Sequence, residues 1–140
     1  MARLTLDTGV LVDAYRGRLD LTAVTSGDSA AVPAVVVAEY LAGVALTPEV
    51  ARADRQRAFL RDVLEVAPVD DYTHATAVEH AELLAHVRRT GAPRGAHDLI
   101  VAATARATDR TVLTTDGRAR FDDLPGVRAR LVGPRRRPTA

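Results

Sequence analysis

The chain has no cysteine. That excludes disulfides, thiolate metal sites and a cysteine nucleophile, and it is compatible with a reducing cytoplasm. It has no lysine: all 19 basic residues are arginine. No stretch of apolar residues reaches the roughly 18 needed to span a membrane. No basic segment followed by a long apolar one opens the chain, so no signal peptide is expected. No glycine-rich phosphate loop is present, which removes P-loop and dinucleotide readings. There is no internal repeat and no linker.

What is present suffices for a core. At 140 residues, 47% of them hydrophobic, the chain is expected to fold as one domain. A chain of that length buries about two-thirds of its unfolded surface. The net charge of +1 does not mark a nucleic-acid binder. Arginine is nonetheless unevenly spread, with Arg128, Arg130, Arg135, Arg136 and Arg137 crowding the last segment. That cluster reads as a solvated tail or as an RNA-binding strip, since arginine offers bidentate phosphate contacts.

Patterning predicts a strand over 3–7, a helix over 8–16 capped by Thr8, and a short helix and loop over 20–27. A strand over 30–32 ends at Pro33. Helices run from Pro33 to Leu46 and from Pro48 to Leu64, the second burying Val50, Phe59, Leu60, Val63 and Leu64. Glu65–Val69 reads as a strand. Asp70 or Asp71 then caps a helix to Thr90, with Ala75, Val78, Leu83 and Val87 inward. A turn covers 91–95. Residues 96–108 form a helix, apolar nearly all round and so buried. A strand over 111–114, a short helix or turn over 121–124 and a strand over 130–132 complete the fold, and 134–140 fray. Alternating strands and helices predict an α/β fold with a central parallel sheet.

Against this pattern four acids stand out. Asp7 closes the first strand, Glu39 interrupts the run Val35-Val36-Val37-Ala38, Asp98 starts the most apolar helix and Asp116 follows the strand 111–114. A carboxylate beside a core element is costly unless its charge is compensated. No arginine is close in sequence to all four, so a shared divalent cation is the simplest compensation. Singly, Asp7 and Asp98 also suit helix starts and Asp116 a turn. Those readings do not explain Glu39 among valines. In parallel sheets ligands bind beyond the carboxyl ends of strands, where Asp7 and Asp116 lie. Hard carboxylate oxygens suit Mg²⁺ or Mn²⁺.

Four segments together carry a resemblance: Leu6-Asp7-Thr8-Gly9-Val10-Leu11-Val12, Val37-Ala38-Glu39-Tyr40-Leu41-Ala42-Gly43, His97-Asp98-Leu99-Ile100-Val101-Ala102-Ala103-Thr104-Ala105, and Val112-Leu113-Thr114-Thr115-Asp116 with Phe121 beyond. In order and spacing the chain resembles PIN-domain proteins, specifically VapC-type ribonuclease toxins of bacterial toxin–antitoxin pairs. The resemblance implies a three-layer α/β/α fold with a short parallel sheet over residues 1–133; the basic tail over 134–140, expected to be flexible, is not a defining feature of that family. It also implies a cytoplasmic Mg²⁺-dependent endoribonuclease, with Mn²⁺ a plausible substitute. Asp7, Glu39, Asp98 and Asp116 would hold the metal and carry catalysis, with Thr8 and Thr114 supporting them. The partners implied are an RNA substrate and a cognate antitoxin, without a membrane. Helices 33–64 carry Val36, Tyr40, Leu41, Val44, Leu46, Phe59 and Leu60, more apolar surface than one thin sheet is expected to cover. Part of that surface is expected to form a homodimer and part a groove for an antitoxin helix.

Two rival readings remain at this level. One is a phosphatase with Asp7 as nucleophile, which commonly wants an acid two residues later, where this chain has Gly9. The other is a partner-binding α/β module whose acids hold metal without hydrolysis. His74, His80 and His86 fall six apart on one helix and share no face, so they do not predict a zinc site. His97 adjoins Asp98 in sequence and reads as a surface residue at a helix start or as a phosphate contact.

Overall fold

The computed structural model describes residues 1–133; the tail expected over 134–140 lies outside the described residues. Five strands, β1 (Arg3–Leu6), β2 (Ser29–Pro33), β3 (Val69–Asp70), β4 (Thr111–Thr114) and β5 (Ala129–Leu131), form one sheet in the order β3-β2-β1-β4-β5. Every pairing is parallel. Parallel neighbours need crossovers, which six helices provide: α1 (Thr8–Tyr15), α2 (Leu21–Thr25), α3 (Ala34–Ala45), α4 (Val50–Val66), α5 (His74–Thr90) and α6 (Ala96–Ala107). The fold is α/β, a parallel sheet flanked by helices.

The core follows from the patterning. Leu4 and Leu6 of β1, Val112 and Leu113 of β4, and Val32 of β2 are fully buried. Helix α6 lays Leu99 and Val101 to Ala105 into the interior, as its apolar girth predicts. Phe121 closes the core beyond β4, at 1% exposure.

Several local expectations are corrected. Asp7, not Thr8, is the N-cap of α1, its side chain accepting from the Thr8 amide. Residues 65–69 do not form a strand: α4 runs to Val66, and only Val69–Asp70 pair with β2. Pro68 explains the break, because the residue before a proline is pushed out of the helical region, and Ala67 sits at φ −132°, ψ 86°. Helix α5 is capped by Thr73 in a reciprocal capping box with Thr76, not by Asp70 or Asp71. Val50 is 74% exposed and Val78 49% exposed, and Ala75 is exposed too. Ala53 on α4 and Thr76 on α5 occupy the buried positions instead. The apolar surplus expected of the 33–64 helices shrinks as well. Val36, Tyr40, Val44 and Leu60 belong to the molecule's own core, leaving Leu41 and Leu46 outward.

Candidate active site

The sheet order decides where a ligand can bind. From β1 the chain moves to β2 on one side and later to β4 on the other, so the winding reverses between β1 and β4. A crevice opens at such a switch point, beyond the carboxyl ends of the strands. Asp7 and Asp116 follow those two strands. Glu39 lies in the second turn of α3, which leaves the end of β2. Asp98 is in the first turn of α6, which packs on β1 and β4.

Asp7 is the fixed member of the group. Its amide bonds the Leu113 carbonyl at 3.0 Å, extending the β1–β4 ladder by one residue. Its carboxylate accepts from the Thr114 hydroxyl at 2.8 Å and the Thr8 amide at 2.9 Å. The Thr114 hydroxyl also accepts from the Asp116 amide at 3.0 Å, so one side chain orients two acids. Asp116 in turn caps a 3₁₀ turn, Gly117–Ala119, by accepting from the Arg118 amide at 2.9 Å.

The electrostatics show that the four acids share one field. Burial pushes the Asp7 carboxyl above its ordinary 3.8; the Thr114 and Thr8 hydrogen bonds oppose this, and the charges of Glu39 and Asp116 reinforce it. Burial also raises Asp98, helped by Asp7, Asp116 and Glu39 and opposed by His97. Among the described residues no arginine forms an ion pair with any of the four. The single neighbouring partner is one the sequence placed beside Asp98 in the chain only: His97 Nδ1 lies 3.5 Å from Glu39 Oε1.

The donor set fits a hard divalent cation. Every candidate ligand is a carboxylate oxygen, and the buried Thr8 hydroxyl beside Asp7 has no hydrogen-bond partner. Among the described residues no three acids or histidines are already drawn tightly enough to ring an ion. Repulsion among the four like charges opposes such an approach. Gly9 and Gly95 serve this edge by having no side chain. A Cβ at Gly9 would lie 2.5 Å from Thr115 Oγ1, and one at Gly95 2.9 Å from Asp98 Oδ2. An acid at position 9, as the phosphatase reading wants, would require the Thr115 hydroxyl to rotate away.

Thr114→Val should expose this dependence. The valine keeps the shape but leaves Asp7 without its hydroxyl donor, so the Asp7 carboxyl should rise further. A partner that orients a ligand typically contributes about 10–100-fold in metal affinity or activity. A Mn²⁺ titration of the variant should show a loss on that scale; unchanged affinity would reduce Thr114 to a packing residue.

Comparison with known proteins gives three findings. The PIN domain family profile matches residues 4–127. No curated protein matches the sequence. Among solved structures, the fold is similar to that of VapBC2 from Rickettsia felis bound to a DNA fragment from its promoter. That likeness has a TM-score of 0.82 at 21% identity, over 93% of this chain and 98% of that one. It is also similar to VapBC-5 of Mycobacterium tuberculosis, a member of the VapBC family of toxin–antitoxin systems, with a TM-score of 0.76 at 24% identity over 94% and 100% of the two chains. FitAcB from Neisseria gonorrhoeae follows with a TM-score of 0.73 at 23% identity, over 90% and 95%.

Proposed function

The chain belongs to the PIN domain family, and we propose that it is a VapC-type toxin of a type II toxin–antitoxin system, a divalent-cation-dependent endoribonuclease. The observation that carries this reading is the acidic quartet at the β1–β4 switch point, which no arginine neutralises among the described residues. Asp7, Asp98, Asp116 and Glu39 would hold Mg²⁺, with Mn²⁺ a substitute. When bound, such a cation supplies the charge that activates a water and steadies the phosphate.

The chain's own residues do the rest. Thr114 and the Thr8 amide hold the Asp7 carboxylate in one orientation. The Thr8 hydroxyl is a spare polar group beside it. Asp98 keeps its proton to a higher pH than a free carboxyl and must release it before a cation is held. In this reading no side chain need act as a covalent nucleophile, and water attacks the phosphodiester.

VapBC-5, of similar fold, is described as a member of the VapBC family of toxin–antitoxin systems, which supports a cognate antitoxin as partner. Leu41, Leu46 and Val50 remain outward on α3, the following loop and α4, and a homodimer would cover part of that surface. No helix among the described residues is long and apolar enough to cross a membrane. An RNA-cutting toxin acts in the cytoplasm, where its substrate is.

The test is direct. Purified protein should cut single-stranded RNA internally with Mg²⁺ or Mn²⁺, stop in EDTA and recover when the cation returns. Hydrolysis of a phosphomonoester without RNA cleavage would sink the reading. The same preparation should sediment as a dimer at tens of micromolar; a monomer would remove that part.

A further inference from the structure

We propose that the groove between α1, α3 and the start of α4 is a subsite for the ribonucleotide next to the scissile bond, with Arg16 and Arg52 contacting its phosphates. This inference rests on the ribonuclease reading above. The groove is a cavity of about 260 Å³ whose walls include Tyr15, Arg16, Glu39, Arg52 and Gln56. Glu39 belongs to the acidic quartet as well, so the groove shares one residue with the cutting edge.

The lining brings two arginines into one groove. Several arginines are held by acids: Arg106 by Glu79 and Glu82, Arg110 by Asp70, Arg128 by Asp109, Arg130 by Asp28. Arg16 and Arg52 enter no ion pair among the described residues. Gln56 adds to them. Its side-chain amide pairs with the Thr47 hydroxyl at 2.9 Å, a hydroxyl that also bonds the Gly43 carbonyl at 3.0 Å. Tyr15, set edge-on to Phe59 at 5.8 Å, gives the wall an aromatic surface on which a base can stack.

Two guanidinium groups, an amide and the Glu39 carboxylate share the groove with the apolar Val12, Val44, Leu46 and Pro48. Such a mixed lining suits a ligand that carries both an anionic group and a ring, as a nucleotide does. A drug-sized ligand fills about 300–1,000 Å³, so this space takes a single nucleotide unit. A strand cut at the quartet must leave along one of its flanks, and this flank is positively charged. Single strands are held in that way, by arginine on phosphate and by ring on base.

The experiment compares the full-length parent with Arg16→Ala/Arg52→Ala. Both side chains are exposed, so the fold should persist. Arg88→Ala/Arg89→Ala on α5 removes the same charge elsewhere and serves as control. The probe is a labelled single-stranded RNA oligonucleotide, followed by anisotropy over a salt series in Ca²⁺ buffer and by steady-state cleavage in Mg²⁺. The groove variant should bind about 10-fold more weakly or worse, with its salt slope flatter by about 1.4, since each phosphate contact on a single strand contributes about 0.7. KM should rise while kcat at saturating RNA holds, the mark of uniform binding. The control should match the parent. A parent that binds and cuts RNA, with a groove variant indistinguishable from it, overturns the subsite and spares the ribonuclease. A parent that neither binds nor cuts overturns both. Weakened binding of a polyglutamate peptide with RNA binding unchanged would assign the groove to a protein and overturn the subsite.

Discussion

Asp98→Asn is expected to abolish RNA cleavage and to raise the melting temperature in metal-free buffer. Asparagine keeps the volume that Gly95 leaves open against Asp98 Oδ2, so packing is unchanged. What goes is one charge from a field of four. Removing a single essential group from other hydrolases lowers kcat by about 10⁴-fold or more, and a loss beyond about 10³-fold is expected here. The stability change has the opposite sign. The Asp98 carboxyl is raised above its ordinary 3.8 by burial and by Asp7, Asp116 and Glu39. A raised acid contributes stability fully below its unfolded value and loses it as pH climbs through the folded one. At pH 7 Asp98 is therefore a net burden that asparagine removes; near pH 4 the two proteins should converge. Nuclease activity at parental level in a folded variant would end the proposed mechanism. A variant less stable than the parent in EDTA at pH 7 would show that Asp98 is held by something other than a cation.

The fold and much of the candidate edge were legible in the sequence because both rest on short-range chemistry. An apolar strand that ends on an acid puts that acid at the edge of a parallel sheet, as Asp7 and Asp116 show. An acid within valines or at the head of an apolar helix announces itself by its cost, as Glu39 and Asp98 do. Helix phase was harder to read. Val50 and Val78 satisfy an apolar pattern yet point outward, because small Ala53 and Thr76 let the helices approach the core more closely. Pro68 could have been read better: it forbids the helical state at Ala67 and confines the strand to two residues. His97, Arg16 and Arg52 were not legible as part of this edge. Each becomes relevant through an approach of α3 to α6 or of α1 to α4, and no pattern along one chain encodes which surface residues such a crossing brings together.

Divalent cation should stabilise the protein in a manner that grows with pH. Asp7 and Asp98 both stand above 3.8, so protons compete with the ion for them over the range where a free aspartate is already ionised. As pH rises through the raised values the protons leave, the metal-free protein loses the stability that protonation supplied, and the cation takes over that role. Both effects widen the gap between loaded and unloaded protein. At about 100 times its dissociation constant a ligand contributes about 2.7 kcal/mol, and a domain of this size shifts by about 2–6 °C per kcal/mol. Melting curves with and without Mn²⁺ should therefore differ by several degrees at pH 7.5 and by little at pH 4.5. Taking the difference at each pH cancels the acid sensitivity of carboxylates outside the site. Asp98→Asn should lose most of the gain at every pH, and Arg16→Ala/Arg52→Ala should lose none. A gain of equal size at both pH values, or one that survives Asp98→Asn, would mean that the ion binds elsewhere and that the quartet is not its site.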